Sequence, residues 1–151
     1  MSKNELLFEE FLKSHNVNYV IPEKGSFCIT NVAFNKNGIY KPDFYLLDKN
    51  LYIEIKGFMT LYTVNKLHYL LQLLPENFCI LQMTEDDWIK ELLSDKSILS
   101  KKDRLQRSCT RQFNEILNLP NKQLHDLSYK RLTEYICTRQ EEYQTWIRTI
   151  R

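Results

Sequence analysis

Two short runs in the first third of the chain are rich in aromatic and β-branched residues, and the pattern around them predicts a hairpin. Phe44 to Leu47 and Leu51 to Ile55 flank Asp48, Lys49 and Asn50, which are poor strand formers and good turn formers. Side chains alternate faces along a strand, so Tyr52, Glu54 and Lys56 share one face while Leu51, Ile53 and Ile55 point to the other. Pro42 has no backbone donor and suits the entrance of the first strand, with Asp43 directly after it.

Upstream, Ser2-Lys3-Asn4-Glu5 has capping-box spacing, and Leu7, Phe8, Phe11 and Leu12 recur at helical spacing, which predicts a helix to about Ser14. At about 100° per residue Glu5 lies about 20° from Leu12, at the edge of the apolar stripe, with Glu9 further out. Asn16 to Pro22 and Ser26 to Phe34 read as strands, and Asn35-Lys36-Asn37-Gly38 as the turn leading into the hairpin.

Downstream the period changes. Leu61, Val64, Leu67, Leu70, Leu71 and Leu74 mark a helix that Pro75-Glu76-Asn77 stops, and Phe78 to Met83 is a short apolar strand. A strand, helix, strand crossover of this length gives parallel pairing. Thr84 to Leu93 reads as a helix with an acidic first turn. From Ser100 the chain is helical: Leu105, Cys109, Phe113 and Ile116 form one face, Lys101, Arg104, Arg107 and Arg111 the opposite one. A break at Asn118 to Asn121 precedes a last helical stretch from Gln123 to Ile150, whose broad apolar face includes Leu124, Leu127, Leu132, Tyr135 and Ile136.

The hairpin register decides the chemistry. An even-numbered turn sets Asp43 on the face of Glu54 and Lys56; an odd one without a bulge sets it on the other. Two unit charges about 4 Å apart repel by roughly 4 kcal/mol at an effective dielectric near 20, so paired carboxylates call for a proton, a base or a cation. Lys56 can serve one. A hard divalent ion such as magnesium, held by one or two carboxylates and completed by water and phosphate, suits the rest.

At 151 residues, with 43% hydrophobic and 13% aromatic residues, the chain suits one globular domain with a real core. Only three glycines occur, and neither glycine-rich phosphate-loop motif is present. No apolar run has transmembrane length and no signal segment opens the chain, so a soluble intracellular (cytoplasmic) protein is expected. Cys28, Cys79, Cys109 and Cys137 are scattered, as reduced thiols would be; a zinc site of Cys109, His125 and Cys137 fits no usual spacing. The net charge of +2 hides a gradient. Residues 1 to 95 carry nine basic and thirteen acidic side chains, net −4, and residues 96 to 151 carry twelve and six, net +6.

Pro42-Asp43, eleven residues, then Glu54-Ile55-Lys56 and Gly57 resembles the PD-(D/E)XK nuclease signature. Glu5 in its Ser-x-x-Glu setting, Leu12 seven positions on and Asn16-Val17-Asn18-Tyr19 resemble the N-terminal layout of phage and archaeal Holliday-junction resolvases of that family. The resemblance covers residues 1 to 83 and implies an α/β fold with a restriction-endonuclease-like core over residues 1 to 95; residues 96 to 151 resemble no part of that family, and their helical pattern and positive charge are expected to form a basic extension packed on the core or on a partner subunit. It further implies a metal-dependent endonuclease that hydrolyses DNA to 5′-phosphate ends, with Asp43, Glu54, Lys56 and Glu5 catalytic. Asp43, Glu54, Glu5 and the Ile55 carbonyl would hold Mg2+, or Mn2+ as substitute, with Glu9 the alternative to Glu5. A homodimer or higher oligomer is expected on DNA, with Lys101, Arg104, Arg107, Arg111 and Lys66 as backbone contacts. Resolvase, restriction, homing and transposon or phage processing roles stay open, and the rival is a non-catalytic binding or interaction module that keeps the fold.

Overall fold

The first turn of the chain is a reciprocal cap. In the computed structural model, which describes residues 2–23, 27–31, 36–56, 61–74, 76–82, 101–138, 144, 145 and 148, the Glu5 N–H donates to Ser2 Oγ at 3.2 Å and the Ser2 N–H to Glu5 Oε2 at 2.9 Å. Helix α1 (Lys3–Ser14) follows and buries Phe8 and Leu12. Leu7, expected in the same stripe, lies about 100° round from Phe8 and is 45% exposed. The helix closes with a Schellman motif. Val17 N–H donates to Leu12 O at 3.0 Å and Asn16 N–H to Lys13 O at 3.2 Å, while Asn16 adopts φ 54°, a left-handed state that asparagine tolerates. That closure takes Asn16 and Val17 out of the strand expected from Asn16 to Pro22, which contracts to β1 (Tyr19–Val20).

Among the described residues, β2 (Phe27–Asn31) and β3 (Lys36–Tyr40) pair only with each other, as a separate antiparallel ribbon. The turn expected at Asn35 to Gly38 is therefore displaced: Lys36, Asn37 and Gly38 are strand, opposite Asn31, Thr30 and Ile29. Pairing Phe27 with Tyr40 and Cys28 with Ile39 aligns the strand-forming residues of both segments, and this outweighs the local turn propensity. The connection falls in residues 32–35, outside the described residues, as does the helix expected at Thr84 to Leu93.

β4 (Phe44–Leu46), β5 (Leu51–Lys56), helix α2 (Leu61–Leu73) and β6 (Phe78–Gln82) complete an α/β core. The four-stranded sheet has the order β1-β4-β5-β6, antiparallel except for the β5–β6 pair, which the α2 crossover makes parallel. One sheet face, with Phe44, Leu46, Ile53 and Leu81, packs on Phe8 and Leu12. The other, with Tyr52, Phe78 and Ile80, packs on Val64, Leu67, Leu70 and Leu71 of α2. Helices α3 (Lys101–Asn118) and α4 (Asn121–Thr138) complete both: Ile116 and Leu124 enter the first cluster, Leu132 and Tyr135 the second. Among the described residues no helix is long and apolar enough to cross a membrane.

α3 and α4 also serve the sheet's polar groups. Among the described residues β6 is an edge strand, and its Ile80 N–H donates to Ser128 Oγ of α4 at 3.0 Å. Arg131, 4% exposed, donates to both Glu115 carboxylate oxygens at 3.3 Å, joining the two helices beside that edge. Lys49, in the β4–β5 turn, donates from Nζ to the carbonyls of Ile116 and Leu119 at the end of α3, and Asn121 Nδ2 donates to Lys49 O. Ser128→Ala would leave the buried Ile80 N–H without its acceptor and should destabilise the fold by about 1–3 kcal/mol. Urea unfolding measures the loss, and faster hydrogen exchange at the Ile80 amide locates it; an unchanged midpoint and protection would contradict this role for Ser128.

Candidate active site

One residue of turn length sets the geometry of the hairpin. Leu47, expected to end the first strand, is instead in the turn and 49% exposed, so the connection is Leu47–Asn50, four residues. The even count pairs Leu46 with Leu51, Tyr45 with Tyr52 and Phe44 with Ile53. Asn50 supplies the tight reversal at φ 50° and accepts from Tyr45 Oη at 2.7 Å. The Tyr45 and Tyr52 rings pack at a tilt of 36° with centroids 4.5 Å apart. The paired register ends at Phe44 and Ile53, and Asp43 precedes it at the entrance to β4.

The side chains converge at this end of the sheet. Asp43 Oδ2 accepts the Ile55 backbone N–H at 2.8 Å across the two strands, and the Asp43 N–H donates to Ile53 O at 3.1 Å. Glu54 is buried, and its Oε2 lies 3.0 Å from Lys56 Nζ. Residues 54 and 56 are two apart on β5, so the pleat alone puts the ion pair on one face. Glu5 reaches the same place from the first turn of α1, where it shares a side-chain hydrogen bond with Asp43 besides capping the helix. The inward position follows from i, i+3, i+7 spacing with Phe8 and Leu12.

These neighbours leave Asp43 short of positive charge. Burial, the Glu54 carboxylate and the Glu5 carboxyl push its pKa up to about 8, against the opposing effect of the Ile55 N–H. A proton held between close carboxylates occupies the place a hard cation would take, and carboxylate and carbonyl oxygens are the donors magnesium prefers. Among the described residues no three His, Cys, Asp or Glu side chains are already closed into a metal-holding group. Magnesium, though, binds through one or two protein carboxylates with water completing its shell, and Asp43 with Glu54 fits that requirement.

Other candidates fall elsewhere. Glu9 accepts from Tyr19 Oη at 2.8 Å and pairs with Lys13 at 3.8 Å, so it braces α1 against β1. Arg111 is exposed on α3, whose opposite side carries Cys109, Phe113 and Ile116 into the core; the side chains of Lys101, Arg104 and Arg107 lie outside the described residues, as does Gly57. Cys109 is half-buried, Cys137 exposed, and His125 Nε2 contacts Leu71 O at 2.6 Å. Lys66, by contrast, is half-buried and electrostatically coupled to Lys56, Glu54 and Asp43. Its signal in the sequence was faint, a lysine in the first half of the crossover helix that polar-face statistics assign to solvent. Compared with known proteins, the chain matches no family model, no curated protein and no solved structure.

Proposed function

We propose that this chain is a divalent-metal-dependent endonuclease with a restriction-endonuclease-like core, hydrolysing phosphodiester bonds of DNA. The observation that supports the reading is the convergence of Asp43, Glu54 and Lys56 at one end of the β4–β5 hairpin, with Asp43 bonded to Ile55 N–H and in contact with Glu5, and Glu54 paired with Lys56. Asp43 and Glu54, helped by Glu5 and the Ile55 carbonyl, would hold Mg2+ or Mn2+. The chemistry such an ion supplies is a more acidic water and neutralisation of charge on the phosphate.

The chain's own groups do the rest. The Ile55 N–H fixes the Asp43 carboxylate, so one oxygen is oriented before any ligand arrives. Lys56, 22% exposed and paired with Glu54, presents an ammonium to the charge that builds on the phosphoryl oxygens. Hydrolysis forms a bond from a water oxygen to phosphorus and breaks the bond to the 3′ oxygen. The water gives up a proton to solvent, the 3′ oxygen gains one, and the products are a 5′-phosphate and a 3′-hydroxyl.

The test is cleavage of supercoiled, linear and branched DNA with and without Mg2+, with Lys56→Ala beside the parent. Metal-dependent cutting by the parent is expected, with kcat lower by about 10²–10³ in Lys56→Ala, the loss typical of removing one transition-state charge contact. A parent that cuts none of these substrates with Mg2+ or Mn2+ overturns the proposal. Preference for branched over linear DNA would assign a junction-resolving role; equal cutting would argue against it.

A further inference from the structure

The β4–β5 turn, the connection from α2 to β6 and the start of α4 enclose a cleft of about 480 Å³, lined by Lys49, Asn50, Glu76, Asn77, Asn121 and Lys122. Every lining residue is polar or charged, which suits a hydrophilic ligand, and the volume falls in the range of roughly 300–1,000 Å³ that small-molecule sites occupy. The cleft lies at the far end of the hairpin from the candidate active site: five residue steps along β5 separate Leu51 from Lys56, about 17 Å. It stands independently of the nuclease reading.

The walls are held from several directions. Lys49 Nζ donates to Ile116 O and, at 2.8 Å, to Leu119 O, while Asn121 Nδ2 donates to Lys49 O. Asn50 Oδ1 accepts from Tyr45 Oη at 2.7 Å, and the Tyr52 N–H donates to Asn77 O at 2.9 Å, tying the α2–β6 connection to β5. An ammonium has three donors, and two of those on Lys49 go to carbonyls; the Asn50 amide, with its oxygen engaged, keeps its Nδ2 donors. Among the described residues neither Lys49 nor Lys122 lies within ion-pair distance of a carboxylate, and burial lowers the Lys49 pKa. An anion in the cleft would supply the counter-charge that both lysines lack. We propose that this cleft binds a phosphate monoester, its dianion set between Lys49 and Lys122 and its oxygens hydrogen-bonded by the asparagine amides. Glu76, exposed, is left to accept from a sugar hydroxyl of the esterified group. That chemistry has two sources, a free nucleoside monophosphate and the 5′-phosphorylated end of a nucleic-acid strand.

Amide chemical shifts of the full chain test the proposal during titration with adenosine 5′-monophosphate, a 5′-phosphorylated dinucleotide and the same dinucleotide ending in a 5′-hydroxyl. The Lys49, Asn50, Asn77, Asn121 and Lys122 amides should shift together and saturate at millimolar ligand or below. The 5′-hydroxyl dinucleotide should bind at least about tenfold more weakly than its phosphorylated form, the loss expected on removing charge-assisted hydrogen bonds. Lys122→Glu, an exposed change that leaves the Lys49 bonds intact, should weaken the phosphorylated ligands by at least about tenfold, and Lys122→Arg should restore them. Lys130→Glu, the same charge change about 12 Å further along α4, should leave affinity nearly unmoved, because that distance exceeds the screening length at physiological salt. Tighter binding of the monophosphate assigns a free nucleotide, tighter binding of the phosphorylated dinucleotide a strand end, and equal binding a site that reads the phosphate alone. Cleft amides that neither phosphorylated ligand moves, or equal losses in Lys122→Glu and Lys130→Glu, would overturn the proposal.

Discussion

Asp43→Asn should abolish metal-dependent cleavage and at the same time raise the melting temperature at pH 8 in the absence of divalent ions. Loss of activity follows from losing an oxygen donor with full negative charge at the centre of the proposed site. The gain in stability follows from proton linkage. Folded, the Asp43 carboxyl keeps its proton up to about 8 because it is buried beside Glu54 and Glu5; unfolded, it loses it near the model-peptide value of 3.8. Between about pH 4 and pH 8 the unfolded chain therefore binds fewer protons than the folded one, and Asp43 makes stability fall as pH rises. The amide oxygen in the variant can still accept the Ile55 N–H, so the fold loses a charge conflict and keeps the bond.

Partial solvent contact discounts the full linkage value to about 1–2 kcal/mol near pH 8, a rise in melting temperature of roughly 2–8 °C for a domain of this size. The advantage should vanish toward pH 4, and adding Mg2+ should raise the melting temperature of the parent but not of the variant. Thermal melts across pH, with and without Mg2+, check all three points. A variant less stable than the parent at pH 8 would contradict the charge conflict assigned to this site.

Phe8→Ala should be the most destabilising single change in the first helix. Phe8 is completely buried, its ring centroid 5.1 Å from that of Phe44 on β4 and 5.3 Å from that of Phe113 on α3, so one side chain holds three elements together. Truncating it removes the transfer energy of a phenyl ring and leaves a cavity, a loss of about 3–5 kcal/mol and on the order of 10 °C in melting temperature. Glu5 lies one turn earlier on the same helix face, so Mg2+ affinity should weaken as well. Leu7→Ala, next in sequence but 45% exposed, should move stability by less than about 0.5 kcal/mol. Equal losses from the two variants would refute this account of how α1 is anchored.

Elements specified by local rules were legible in the residues. The capping box at Ser2 and Glu5, the apolar stripe of α2 stopped at Pro75, and the alternation in β5 are each determined within a dozen residues. The hairpin was legible except for one residue: whether Leu47 is strand or turn shifts the loop between odd and even length, and propensity favours strand for leucine at that place. Its resolution comes from outside the hairpin, since the Leu47 N–H donates to Asn18 O just before β1. Ser128 and Arg131 are the reverse case. On a helix they look like surface residues, and their burial makes sense only once an unpaired N–H of the β6 edge and the Glu115 carboxylate are placed opposite them.

The clamp on the hairpin turn has a consequence for how the protein is made. Lys49 is bonded to Ile116 and Leu119, 67 and 70 residues later, and to Asn121, 72 residues later. A nascent chain that has emerged from the ribosome only through β6 carries Glu5, Asp43, Glu54 and Lys56, yet Lys49 in its β4–β5 loop still lacks the α3 carbonyls and the β6 edge is still uncovered. Loop closure over such a span comes late in folding. The arrangement of charges on the hairpin is thus completed only after α3 and α4 have been made, by a helical segment that supplies none of the four side chains.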